Sequence, residues 1–291
     1  MSRWPVPAEV ATGPVVLVRR SEQQHPIRAL LLHGLGTSWR VWTRHGDPVL
    51  GRWGGLANPL GCISGAAADP EVWVGDLPWS GTEDGAWARH PDPTQWIARS
   101  VAAVPGGVDV VIAHSFAATM LLDLATRPIR EQVLGGVKGL VLVSPFYKSA
   151  HDDFDWNVLS SYVNGFVHIM AEGIRVSAKG RPISGDLLMG MAERVQDRIG
   201  PYGWLKFFET YLRTPDMNVR EMDIPCLILS GRGDVAAPPA DSTVLAGQLP
   251  DAELTLLEHC GHFPMVETPA EFSAAIDRFN DRIQLTHGAR A

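Results

Sequence analysis

Short apolar runs alternate with longer, more polar stretches along most of the chain. Residues 29–32, 72–74, 108–113, 139–143, 226–229 and 254–257 are of strand length and nearly continuous in apolar character. Each is closed by Gly, Pro, Asp or Ser. A parallel strand covered on both faces reads this way, because neither of its faces has to meet water. Residues 94–104, 115–126, 239–249 and 269–285 carry helical spacing. The last two open at Pro239 and Pro269, and the first follows Pro93. Proline suits a first helical turn, whose N–H groups have no intrahelical partner anyway. Strand–helix alternation of this kind predicts an α/β fold with a mostly parallel, doubly wound sheet.

Two stretches break the rhythm. Residues 146–223 hold no clear strand run and are rich in aromatic residues and Met, among them Phe154, Trp156, Tyr162, Phe166, Met170, Trp204, Phe207 and Tyr211. This segment is expected to be helical and to lie over the C-terminal edge of the sheet, though plain core helix would read the same way. Residues 37–69 are rich in Gly, Pro and Trp and are expected to form a short helix near 39–49 and then a long loop.

Composition narrows the partners. With 291 residues, 45% apolar and 20% charged, the chain can bury a large core and does not read as disordered. A net charge of −7, with no basic tract longer than Arg19-Arg20, gives no electrostatic reason to bind nucleic acid or an anionic membrane. The apolar runs are too short to span a bilayer. Met1–Pro5 shows no apolar leader core, and the three cysteines, Cys62, Cys226 and Cys260, make a poor disulfide framework. Together these lead to the expectation of a cytoplasmic protein. No coiled-coil heptad is visible, so monomer and homodimer stay open.

Candidate chemistry sits at the ends of the strand runs. Ser115 lies where 108–113 meets the following helix, in Ala113-His114-Ser115-Phe116-Ala117. A serine at a strand-to-helix turn projects its hydroxyl above the sheet toward a helix N-terminus, provided the residues two before and two after are small. The same position also suits an N-cap serine. After the early strand, Leu32-His33-Gly34-Leu35-Gly36 offers backbone N–H groups to a ligand. Acyl transfer needs two such donors for an oxyanion, here assigned to Leu35 and Phe116. His33 reads as a loop brace. Asp234 ends a strand in Gly231-Arg232-Gly233-Asp234, with a helix cap as its alternative role; Asp241 and Asp251 follow no strand run directly. His262 lies in a Gly-containing loop before the final helix, with His259 as its rival. His259, Cys260 and His262 are too few and too close for a zinc site, and no dinucleotide or phosphate loop is present. No metal and no cofactor are therefore expected.

Taken together, the order H-G-L-G, Ser115, Asp234, His262 resembles the α/β-hydrolase superfamily over roughly 15–285. The closing segment Gly261-His262-Phe263-Pro264-Met265-Val266-Glu267-Thr268-Pro269 is its most specific part. Asp76-Leu77-Pro78-Trp79-Ser80-Gly81 is similar to the family's D-x-P-G-x-G-x-S loop, with Trp79 in place of a glycine. The elbow departs from G-x-S-x-G in having Ala113 and Ala117. The resemblance implies a Ser115–His262–Asp234 triad. It also implies a core formed by 1–145 and 224–291, with 146–223 as a helical cap inserted between strands 6 and 7.

The expected activity is hydrolysis of a hydrophobic ester or thioester through an acyl-enzyme. Tryptophans flanking the site loops and the Met-rich cap point to an apolar acyl or other hydrophobic small-molecule substrate. Gly34, His114, Trp39, Trp79, Phe146 and Phe263 are the expected contacts to it. The same triad would also serve a C–C bond hydrolase, a lactonase, an acyltransferase or a cyclase. A catalytically silent small-molecule receptor is the reading from another class.

Overall fold

The computed structural model describes residues 14–19, 27–42, 70–80, 85–178 and 182–288. Most of the loop expected over 37–69, including Cys62, lies outside these residues, as do Met1–Pro5, Arg20 and Gly81. Of the short helix expected near 39–49, the described part is a single 3-10 turn, Trp39–Trp42.

Among the described residues, seven strands form one sheet: β1 (Val15–Arg19), β2 (Arg28–Leu32), β3 (Glu71–Gly75), β4 (Val110–His114), β5 (Gly139–Val143), β6 (Cys226–Gly231) and β7 (Ala252–Leu257). Their order is β1-β3-β2-β4-β5-β6-β7. All neighbours pair in parallel except β1, which runs antiparallel to β3 at the edge. The sequence pattern does not single out β1. Its apolar run is followed by no helix-like stretch, so the alternation rule has nothing to pair it with.

Side-chain alternation explains why the strand runs are apolar throughout. Leu30, Leu32, Val111, Ala113, Leu140, Leu142 and Ile228 face one core. Ala29, Leu31, Val110, Ile112, Val141, Val143, Leu227 and Leu229 face the other. The first core is closed by α1 (Thr94–Ala103), α2 (Phe116–Ala125), α3 (Arg130–Leu134) and α6 (Pro239–Gln248). The second is closed by α7 (Pro264–Glu267) and α8 (Pro269–Gly288), numbered here in chain order. Every residue of α2 is buried, as an almost wholly apolar helix requires. In α8, Phe272, Ala275, Ile276, Phe279 and Ile283 form the buried stripe, spaced at three and four residues.

Among its described residues, the segment 146–223 holds helices and short 3-10 turns and no strand. Two long helices, α4 (Trp156–Ser177) and α5 (Gly185–Leu212), follow β5 and precede β6. They therefore lie between the fifth and sixth described strands, because five strands are described before them. The Asp155 carboxylate accepts from the Val158 N–H at 2.8 Å and starts α4. Helix α5 breaks at Gly200 (φ 65°, ψ 175°), where Pro201 restarts it. The pair sits on the loop that follows β2: a methyl group on Gly36 would stand 2.8 Å from Val195 Cγ1 and 3.1 Å from Met170 Sδ.

Close backbone approach also dictates Gly231 at the end of β6. A Cβ there would stand 2.2 Å from the Cys260 carbonyl oxygen and 2.3 Å from that of Gly261. Gly231→Ala is expected to cost about 1–3 kcal/mol, since the residues after β7 would have to be pushed off the sheet edge. Urea denaturation measures this, and an unchanged midpoint would show that the loop yields freely.

Candidate active site

The nucleophile candidate sits in a strained elbow. β4 ends at His114, Ser115 adopts φ 57° and ψ −125°, and α2 begins at Phe116. A non-glycine residue at this φ is held by its surroundings. Its N–H donates to the Val143 carbonyl at 2.8 Å, and its own carbonyl accepts from Ala118 and Thr119. Ala113 and Ala117, both fully buried, leave the room that the turn requires. Ser115 takes the N-cap position of α2, but its side chain makes no capping hydrogen bond. Its Oγ instead lies 3.0 Å from His262 Nε2.

His262 Nδ1 stands 2.9 Å from Asp234 Oδ2. The other oxygen, Oδ1, accepts from the Ala236 and Ala237 N–H groups, each at 2.9 Å. A carboxylate can only accept, so His262 Nδ1 carries the proton. Nε2 is then a lone pair facing the serine hydroxyl. Burial opposes ionisation of Asp234. The charge and hydrogen bond of His262, with the Ala237 N–H, nevertheless hold its carboxyl below the usual range. All three groups are buried, with Ser115 the most accessible at 7%.

The rival residues are engaged elsewhere. Asp241 pairs with Lys148 at 2.9 Å and Asp251 with Arg282 at 2.6 Å. His259 is exposed in a turn with φ 52°. His33 donates from Nδ1 to the Gly34 carbonyl at 3.0 Å and accepts at Nε2 from the Leu77 N–H at 3.2 Å. Both nitrogens thus hold backbone, and the ring braces the loop after β2.

That loop presses on the elbow. A Cβ on Gly34 would lie 2.9 Å from Ser115 Cβ. The backbone N–H groups of Leu35 and Phe116 hydrogen-bond to no partner among the described residues. Trp79 is buried, donates from Nε1 to the His33 carbonyl at 3.0 Å and packs edge-on against Trp87 and Phe116.

Phe146 approaches the His262 ring at 5.7 Å and joins Tyr162, Phe207 and Tyr211 in one aromatic cluster. Phe263 lies 5.3 Å from His262, with its ring against Gly173 of α4. Trp39 packs at the margin of the α8-side core, under the Arg40 guanidinium. His114 is only 1% exposed and presents almost no surface to a ligand.

Two further groups at the site are Tyr162, which carries no obvious sequence signal, and Glu267, which lies in the Gly261–Pro269 segment. The Tyr162 hydroxyl donates to the Ala236 carbonyl at 2.9 Å, tying α4 to the Asp234 turn. Glu267 accepts from the N–H groups of Gly261 and Phe263, each at 2.9 Å. Among the described residues no group of three or more His, Cys, Asp or Glu could hold a metal ion. No described helix is long and apolar enough to cross a membrane.

A strained serine elbow, an imidazole and a buried carboxylate thus stand together at the C-terminal edge of the mostly parallel sheet. The model of the alpha/beta hydrolase family matches residues 29–275, and the chain belongs to that family. It is 28% identical over 265 residues to the pimeloyl-[acyl-carrier protein] methyl ester esterase of Aromatoleum aromaticum, covering 85% of this chain and 96% of that protein. Among solved structures it resembles a bacterial membrane phospholipase A, with TM-score 0.63, 18% identity, and 91% and 81% of the two chains covered. It also resembles MenH from S. aureus, with TM-score 0.56, 15% identity, and 93% and 98% covered. At these identities the structural likenesses establish the fold alone.

Two buried histidines make folding stability depend on pH. Burial, partly offset by the Gly34 carbonyl, lowers His33 to about 4. Burial and the neighbouring His262 lower His114 to about 3. The unfolded chain protonates both near pH 6.5, so below that it binds more protons than the folded chain. Stability is therefore lost as pH drops below about 6.5, by up to about 1.4 kcal/mol per pH unit for each histidine. Asp234 stays ionised in this window, since its contribution is lost only below the ordinary carboxylate range. The urea midpoint is expected to be lower at pH 5 than at pH 7, with a shallower drop in His114→Gln. Equal midpoints would contradict this.

Proposed function

We propose that the chain is a serine ester hydrolase, with Ser115 as nucleophile, His262 as general base and acid, and Asp234 as the group that orients the imidazole. The hydrogen-bonded line from Ser115 Oγ through His262 to Asp234 carries this reading. His262 Nε2 takes the hydroxyl proton as Ser115 Oγ attacks the ester carbonyl carbon. The carbonyl oxygen becomes an oxyanion, held by the N–H groups of Leu35 and Phe116. Imidazolium, steadied by Asp234, then gives its proton to the departing alcohol or thiol. Water enters by the reverse sequence and releases the acid.

The esterase name of the sequence relative and the aromatic surroundings of His262 support a hydrophobic acyl ester or thioester as substrate. On this reading the helices of 146–223 act as a cap over a core of 1–145 and 224–291, and Phe146 and Phe263 border the acyl group.

Turnover of nitrophenyl esters of increasing chain length tests the assignment. Ser115→Ala and His262→Ala are each expected to lose on the order of a thousandfold or more in kcat. Unchanged turnover in Ser115→Ala removes it from the nucleophile role. Activity greatest on acetate and falling with chain length argues against a hydrophobic acyl substrate. A fluorophosphonate probe separates enzyme from silent receptor, because only an activated serine is labelled.

A further inference from the structure

His262 lies on an irregular loop between β7 and α7, where no sheet or helix partner fixes its backbone. Three backbone groups around it are nevertheless held by side chains. The Gly261 N–H donates to Glu267 Oε2 at 2.9 Å and the Phe263 N–H to Glu267 Oε1 at 2.9 Å. The His262 carbonyl accepts from His114 Nε2 at 2.8 Å.

We propose that His114 and Glu267 are positioning residues that clamp the His262 backbone and so set the distance between imidazole and nucleophile. The inference rests on the reading of His262 as the base. One carboxylate spans the two N–H groups that flank the histidine, which restrains the peptides on both sides of its Cα. Glu267 can do this because α7 begins at Pro264 and turns the chain back, with the Glu267 N–H donating to the Phe263 carbonyl. The third bond comes from the residue that precedes Ser115. The peptide bearing the hydroxyl thus grips the peptide bearing the imidazole, and a shift of one carries the other with it.

The chemistry of His114 fits this role. A carbonyl only accepts, so Nε2 must carry the proton and Nδ1 must be the lone pair. That Nδ1 is buried with no hydrogen-bond partner among the described residues. An apolar side chain would fill the space between Trp42, His262 and Phe263 without leaving an orphaned acceptor. The Nε2 donor is what the imidazole adds.

The test compares His114→Leu, which removes the donor, with His114→Gln, whose amide places an N–H near Nε2. Glu267→Ala and Glu267→Gln probe the other half of the clamp. The readouts are kcat and KM on a nitrophenyl ester, and the downfield proton resonance of the His262 Nδ1–H bonded to Asp234. His114→Leu and Glu267→Ala are expected to lose about ten- to hundredfold in kcat, with KM little changed. Their downfield resonance should broaden or vanish. His114→Gln should recover most of both, and Glu267→Gln should fall between. A folded His114→Leu with wild-type kcat and resonance overturns the role of His114, as does a His114→Gln no better than Leu. If His114→Leu does not fold, Glu267→Gln decides the clamp, and wild-type values there overturn it. If Ser115→Ala keeps wild-type turnover, the esterase reading fails, while the resonance comparison still reports whether the clamp holds the imidazole.

Discussion

Parallel register at the centre of the sheet is the constraint on which the site depends. Leu32 pairs with Ala113, Ala113 with Leu142, and Val143 with Leu229. The strands therefore end together, and the segments bearing Leu35, Ser115, Phe146 and Asp234 leave from one edge. Backbone hydrogen bonds extend this alignment past the strands: Ser115 N–H to the Val143 carbonyl, Ser144 N–H to that of Leu229, and Arg232 N–H to that of Leu257. The positive φ of Ser115 is held between these bonds and the first turn of α2. A sheet slipped by one residue would turn each strand end to the opposite face.

Close packing of backbone on backbone is the second requirement, and it explains the small residues around the site. Gly34 lets the loop after β2 reach the serine, and Gly231 lets the residues after β7 cross the end of β6. Ala113 and Ala117 serve the elbow itself, whose geometry tolerates alanine where glycine is the family's usual residue. His33, caught in these contacts, finds backbone partners in Gly34 and Leu77. Phe146, on the loop after β5, then meets the His262 ring, and Tyr162 of α4 meets the Asp234 turn.

Much of the fold was legible because both faces of the sheet are buried. Six of the strands announce themselves as continuous apolar runs, and α2 and α8 as helical patterns between turn residues. β1 escaped because an antiparallel edge strand has no crossover helix to mark it. Ser115, Asp234 and His262 were nameable since each follows a strand run at a turn, and Glu267 could have been noticed in the same G-H-F-P-M-V-E-T-P segment. The fates of Trp79, His114 and Trp39 could not be read. An aromatic or imidazole side chain beside a site loop suits a pocket wall and a core equally well, and only the neighbours decide. For His114 those neighbours are Trp42, His262 and Phe263, all distant in sequence or across the sheet.

By itself, then, the sequence determined the six parallel strands, the helices that follow them and which side chains could react, because burial pattern, turn chemistry and residue type are local properties. Tertiary structure alone decided that the hydroxyl, imidazole and carboxylate meet at 3.0 and 2.9 Å, and that His114 Nε2 reaches the His262 carbonyl. Those outcomes depend on register and on loop-to-loop contacts between residues far apart in the chain. No local pattern encodes such distances.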